Sequence, residues 1–210
     1  MKVVFLHGLG QGPEAWQQVI HHLDCQDVLA LSLFGNLSAD EPLSLDILND
    51  QLAAKVAQIK EPYILCGLSL GAILTLMQSL QPSSNLKGLI VSGAQIEPPS
   101  RFLLSFQNVI FRFLPKRFFQ KIGLTRRQAL ELTNSLTDLN LSTDLKAMPL
   151  PTAVMCGQKD KANLSAAYRL ASCLGHSKLT IIPKGRHELN VEKPKEFALI
   201  VNQFLETHGF

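Results

Sequence analysis

Short apolar runs and longer mixed segments alternate along the chain. Lys2-Val3-Val4-Phe5-Leu6 is apolar at four successive positions and predicts a strand buried on both faces. Similar runs predict strands over about 28–33, 63–66, 87–93, 151–156 and 178–182. Between them lie segments of helical pattern over about 14–23, 45–59, from residue 70 to about 81, 164–174 and 194–206. Pro13 suits the first turn of the helix it opens, and Pro82 with Ser83-Ser84-Asn85 supplies stop signals for another. Strand–helix alternation of this kind predicts an α/β fold: a mainly parallel sheet with helices on both faces. Ligands then bind beyond the carboxyl ends of the strands.

The rhythm breaks once. Residues 95–145 contain no convincing strand and read as several helices, interrupted near Pro98-Pro99, Pro115 and Gly123. Six of the eleven phenylalanines fall here (Phe102, Phe106, Phe111, Phe113, Phe118, Phe119), interspersed with Arg101, Arg112, Lys116, Arg117, Lys121, Arg126 and Arg127. An aromatic helical insertion between two strands is expected to form a cap over the active end of the sheet. The whole of 1–210 then reads as one domain with 95–145 as its cap. Most cap aromatics are expected to pack onto the sheet, with one or two lining a pocket.

The densest signal is Gly67-Leu68-Ser69-Leu70-Gly71, which joins the strand at 63–66 to the next helix. Glycine two residues to each side of a serine permits a turn too tight for a β-carbon at either flank. The serine backbone is strained and its hydroxyl is pushed out beyond the sheet. With average glycine and serine usage, such a pattern arises by chance in roughly one chain in fifteen of this length, so the other strand ends must decide. After the first strand comes His7-Gly8-Leu9-Gly10-Gln11-Gly12, after the strand at 151–156 comes Asp160, and after the last strand comes His187. A parallel sheet brings all of these to one edge.

Their chemistry is complementary. A serine hydroxyl needs a base to take its proton, and histidine has the intrinsic pKa for that work. A carboxylate on the second imidazole nitrogen fixes the tautomer and stabilises the imidazolium. Ser69, His187 and Asp160 are thus the candidate nucleophile, base and orienting acid, with the backbone N–H groups of Leu9 and Leu70 as donors to an oxyanion. The alternative role for Asp160 is to cap the helix that follows it, and Glu97 is the rival acid. His7 is expected to support the glycine loop by hydrogen bonding, and Trp16 to pack in the core.

Taken together, His7-Gly8-Leu9-Gly10 with Trp16 downstream, Gly67-Leu68-Ser69-Leu70-Gly71, Gly157-Gln158-Lys159-Asp160 and Gly185-Arg186-His187 leading to Pro194 and Phe197 resemble the α/β-hydrolase superfamily, in its branch of small esterase-like and lactonase-like serine hydrolases. The resemblance covers nearly the whole chain except the cap. It implies cleavage of a small carboxylic ester, thioester or lactone through an acyl-enzyme. Carbon–carbon cleavage or elimination with His187 as base, and a slow-turnover ligand-binding module, are the alternatives. Measured against that family, the chain starts at what is usually the third strand, so about six strands are expected without the customary first hairpin. The loop at 33–42 keeps little of the family's usual pattern.

Composition narrows the partners. The chain has 210 residues, 46% hydrophobic and 18% charged, and a net charge of +3, too balanced to suggest nucleic acid. Cys25, Cys66, Cys156 and Cys173 have no Cys-x-x-Cys spacing and read as free thiols of a reducing compartment. The apolar start is too short for a signal peptide, and no run approaches the ~20 apolar residues of a membrane span. A cytoplasmic enzyme acting on a small apolar acyl or aromatic substrate, with no metal and no cofactor, is the resulting expectation.

Overall fold

The computed structural model describes residues 1–35, 37–81, 83–98 and 114–210. Phe102, Phe106, Phe111, Phe113, Arg101 and Arg112 of the expected cap lie outside the described residues.

Six strands, β1 (Lys2–Leu6), β2 (Val28–Leu31), β3 (Tyr63–Leu68), β4 (Leu86–Ser92), β5 (Thr152–Gly157) and β6 (Ser177–Ile182), form one sheet in the order β2-β1-β3-β4-β5-β6. Every neighbouring pair is parallel. Side chains alternate across the pleat, so each strand feeds two cores. Val4, Leu6, Leu65, Val91 and Val154 join one, Val3, Phe5, Ile64, Cys66 and Met155 the other, all of them buried. The first core lies under α2 (Leu45–Val56), α3 (Leu70–Ser79) and α6 (Lys161–Cys173). The second is closed by α1 (Gln17–His21) and α8 (Pro194–Thr207), which pack on each other, and by the short α7 (Leu189–Glu192). Trp16 belongs to this second core, its ring 4.8 Å from Phe5 and 5.2 Å from Phe197.

The chain goes from β1 outward to β2, then crosses back to place β3 on the other side of β1. The loops leaving β1 and β3 therefore diverge, and open a crevice at the point where the strand order reverses. The glycine loop and Ser69 both sit there.

Several expected bounds shift: β2 stops at Leu31 and α2 at Val56, and α6 starts at Lys161. The helix expected at 14–23 is a 3-10 turn, Pro13–Trp16, followed by the five-residue α1. Trp16 closes that turn and Val19 lies in α1, and both are buried in the second core. β3 runs on to Leu68, inside the glycine motif, because Gly67 and Leu68 still pair with Val91 and Ser92 of β4.

Between β4 and β5 the chain leaves the sheet. Its described part holds α4 (Lys116–Lys121) and α5 (Arg126–Ser135), with α5 opened by a capping box of Thr125 and Gln128. Helix α5 is stitched to the loop after β2: Gln128 Nε2 donates to Ser38 O at 2.8 Å, Leu43 N–H to Glu131 Oε2 at 3.1 Å and Leu45 N–H to Ser135 Oγ at 2.9 Å. The loop after β2 and the helical excursion are thus joined in one wall. Leu141 N–H to Ile96 O, at 2.8 Å, ties the end of the excursion to its beginning.

Candidate active site

Ser69 links β3 to α3 with φ 54° and ψ −115°. A residue with a β-carbon held there costs of order 1–3 kcal/mol, so the surroundings must enforce it. The Ser69 N–H donates to Ser92 O at 2.8 Å, and Ser69 O accepts from Ala72 and Ile73 N–H at 3.0 Å each. A β-carbon on Gly67 would lie 2.3 Å from Gly71 O, and one on Gly71 2.2 Å from Leu6 O. Both glycines are therefore needed for close approach of backbones. A β-carbon on Gly8 would touch Ser69 Cβ at 3.4 Å, so the glycine loop lies directly against the serine. Leu70 is the first residue of α3, and its N–H is one of the free donors of the helix start.

His187 and Asp160 meet across two loops. His187 Nδ1 lies 2.7 Å from Asp160 Oδ2. A carboxylate only accepts, so the proton is on Nδ1 and the Nε2 lone pair is left free. Asp160 is only 7% exposed. Burial pushes its carboxyl pKa up, but the hydrogen bond and charge of His187 together with the bonds from Asn163 outweigh this and hold it below the ordinary value. Although Asp160 occupies the cap position of α6, its side chain makes no capping bond. Gly93, at φ 63°, passes beneath the ring: a β-carbon there would lie 2.9 Å from His187 Cε1.

The glycine loop is held from below and from the side. Buried His7 lies with Nδ1 2.9 Å from Gly8 O, while Nε2 accepts from Leu33 N–H at 3.1 Å. It thus carries one proton and joins the loops after β1 and β2. Gln11 Nε2 donates to Glu188 Oε1 at 3.2 Å, and Asn190 Nδ2 to Gln11 Oε1 at 3.2 Å, so the glycine loop is also tied to the loop carrying His187.

Burial lowers the pKa of His7 below 6.5. The unfolded chain therefore takes up this proton first, and stability is complete above pH ~6.5 and falls as pH drops below it. Asp160, whose pKa is also lowered, acts only in a more acidic window, below its ordinary value of 3.8. Melting temperature should decline between pH 7.5 and 5.5, and His7→Gln should flatten that decline. Equal slopes for the two proteins would remove His7 as its source.

Ser69, Leu70, Leu9 and His187 line one cavity of about 330 Å³. Its remaining wall is mostly apolar, with Ile73 from α3, Phe118 from α4, and Leu132 and Leu136 at the end of α5. Among the described residues no lysine or arginine lines it. All five residues singled out from the sequence thus gather at one place, Asp160 through its bond to His187. The rival acid does not: Glu97 pairs with Arg169 at 3.5 Å. Cys156, near Asp160, and Cys66 in β3 are both buried, and burial keeps both thiols protonated, Cys156 pushed up to about 12. Sequence reasoning missed Asn163, Gln95 and Gly93. Only the first left a trace, an amide three residues past Asp160 and so on the same helical face.

Known proteins agree with this architecture. The model of the alpha/beta hydrolase family matches residues 3–198. A Haemophilus influenzae protein named "Putative 2-succinyl-6-hydroxy-2,4-cyclohexadiene-1-carboxylate synthase" is 25% identical, over 94% of this chain and 94% of its own length. The structure of a Pseudomonas aeruginosa hydrolase superposes with a TM-score of 0.80 at 18% identity, covering 97% of this chain and 89% of that one. That of MenH from S. aureus gives 0.79 at 20% identity, covering 100% and 95%.

Proposed function

The chain belongs to the alpha/beta hydrolase family, and on that premise we propose that it is a serine hydrolase cleaving a small carboxylic ester, thioester or lactone with an apolar acyl group. One observation carries the proposal: a strained serine and an imidazole bound through Nδ1 to a buried carboxylate line the same apolar cavity.

His187 Nε2 takes the Ser69 proton as Oγ attacks the substrate carbonyl. The negative oxygen is received by the Leu9 and Leu70 N–H groups, and Asp160 stabilises the imidazolium. Collapse expels the alcohol or thiol, which leaves with the proton from His187. Water then repeats the sequence on the acyl-serine, releasing the acid and restoring Ser69. Residues 95–145 act as the cap, and α4 and α5 shape the acyl pocket.

Leu9 and Leu70 donate through backbone, so side-chain changes there need not silence the enzyme. A soluble, intracellular enzyme fits the free thiols; among the described residues no helix is long and apolar enough to cross a membrane.

The H. influenzae relative is named a synthase, not an esterase, and this favours a second reading, carbon–carbon cleavage or elimination with the same histidine as base and no acyl-enzyme. An apolar wall without a cation among the described residues suits an acyl chain better than a carboxylate-bearing substrate. Mass spectrometry of protein quenched during ester turnover separates the two: an acyl adduct on Ser69 is expected, and its absence with a good substrate would favour elimination.

Activated aryl esters of graded acyl length measure the pocket. A cavity near the lower end of the usual ligand-site range predicts a short-to-medium optimum. Phe118→Ala should move that optimum to longer chains. Each newly buried methylene is worth about 0.8 kcal/mol, or about fourfold in kcat/KM. An unchanged chain-length profile would place the acyl group elsewhere.

A further inference from the structure

The Asp160 carboxylate is held by more than His187. Asn163 Nδ2 lies 2.9 Å from both Asp160 oxygens, and Asn163 Oδ1 accepts from Gln95 Nε2 at 2.7 Å. Gln95 Nε2 also donates to Ala162 O at 3.2 Å. These contacts have only one consistent polarity, because a carboxylate accepts and an amide nitrogen donates. Gln95 fixes the Asn163 carbonyl, and this directs the Asn163 amide nitrogen onto the carboxylate. Asn163 Nδ2 and His187 Nδ1 are 3.1 Å apart; since both carry protons, they converge on Asp160 Oδ2 rather than bond to each other. The chain of contacts joins three parts of the fold: the strand end after β4, the first turn of α6 and the loop after β6. Asn163 is nearly as buried as Asp160 itself.

We infer that Asn163 and Gln95 form a two-amide brace that fixes the orientation of Asp160 and the charge it presents to His187, making both positioning residues. The inference rests on the triad reading above. A donor on the carboxylate draws off charge that would otherwise stabilise the imidazolium. The brace therefore limits the charge Asp160 offers the imidazolium, and holds the carboxylate still while the proton moves. Few other groups face the pair. Cys156 from β5 is a protonated thiol, and Gly93 from β4 carries no charge. Glu188, beside His187, is engaged by Gln11, and Lys159 and Lys161, on either side of Asp160, are exposed. Among the described residues the pair makes no other ion pair.

Asn163→Leu keeps volume and removes the donor. Its kcat should fall about tenfold or more, in line with loss of a hydrogen bond to a charged group. The acidic limb of kcat/KM for an activated ester should move up by about half a pH unit. Gln95→Met, which frees the Asn163 amide to turn, should shift both in the same direction by less. A second readout needs no turnover: in the Ser69→Ala background, the NMR titration midpoint of the His187 imidazole should rise when Asn163→Leu is added. A merely structural role would lower the melting temperature and leave both midpoints in place. A folded Asn163→Leu protein with unchanged acidic limb and unchanged His187 titration overturns the brace. If Asn163→Leu does not fold, Gln95→Met decides on the same readouts. If Ser69→Ala retains hydrolysis, the triad reading fails, and the His187 titration still decides whether the brace exists.

Discussion

Ser69→Ala should lower kcat for an activated ester by on the order of 10⁵- to 10⁶-fold and leave KM nearly unchanged. The size follows from how the parts depend on each other. Without the hydroxyl, His187 has no proton to take from the protein, and Asp160 orients a base with nothing to activate. What survives is a cavity and the two backbone donors, which in enzymes of this type still give 10³–10⁴-fold over water. On the proposed function KM is insensitive, because the apolar wall of Ile73, Phe118 and Leu132 would hold the acyl group regardless of Ser69. The variant should also fail to be labelled by a phosphonate that modifies wild-type Ser69. Stability offers an independent check: alanine at φ 54° bears the same strain as serine, so the melting temperature should hardly move. A variant within tenfold of wild-type turnover would end the nucleophile assignment.

How much of this was legible beforehand depends on the physical origin of each feature. The strands could be read because they are buried on both faces, and burial on both faces leaves unbroken apolar runs such as 3–6 and 63–66. Ser69, Asp160 and His187 could be read because each follows a strand, and a parallel sheet delivers strand ends to one edge. The turn at Pro13–Trp16 was hidden because a 3-10 turn and the start of an α-helix share the same local residue preferences. The brace was hidden for a different reason. Gln95 and Asn163 are 68 residues apart, and amides carry no spacing signature of the kind glycines impose on an elbow. The same holds for the stitching of α5 to the loop after β2. Those bonds run largely to backbone groups, which every residue has.

Gly71→Ala tests the elbow from the opposite direction, by geometry alone. The added carbon would sit 2.2 Å from Leu6 O, 2.6 Å from Leu6 C and 2.8 Å from His7 O. These are backbone atoms at the end of β1, which is paired on both sides, to β2 and to β3. No rotamer change relieves the clash; β1 and the start of α3 must separate. Overpacking of this kind costs about 3 kcal/mol, or a fall of roughly 6–12 °C in melting temperature for a chain of this size. The movement also carries the glycine loop away from Ser69, because His7 and Gly8 follow directly on Leu6. A displacement of about 1 Å between reacting groups costs on the order of 10²-fold in rate, so activity should fall even below the melting transition. Gly175→Ala is the matched control: a β-carbon there meets nothing within 4 Å, and the change should be neutral within about 0.5 kcal/mol. If Gly71→Ala melted and turned over like Gly175→Ala, the close approach of α3 to β1 would not be what shapes the elbow.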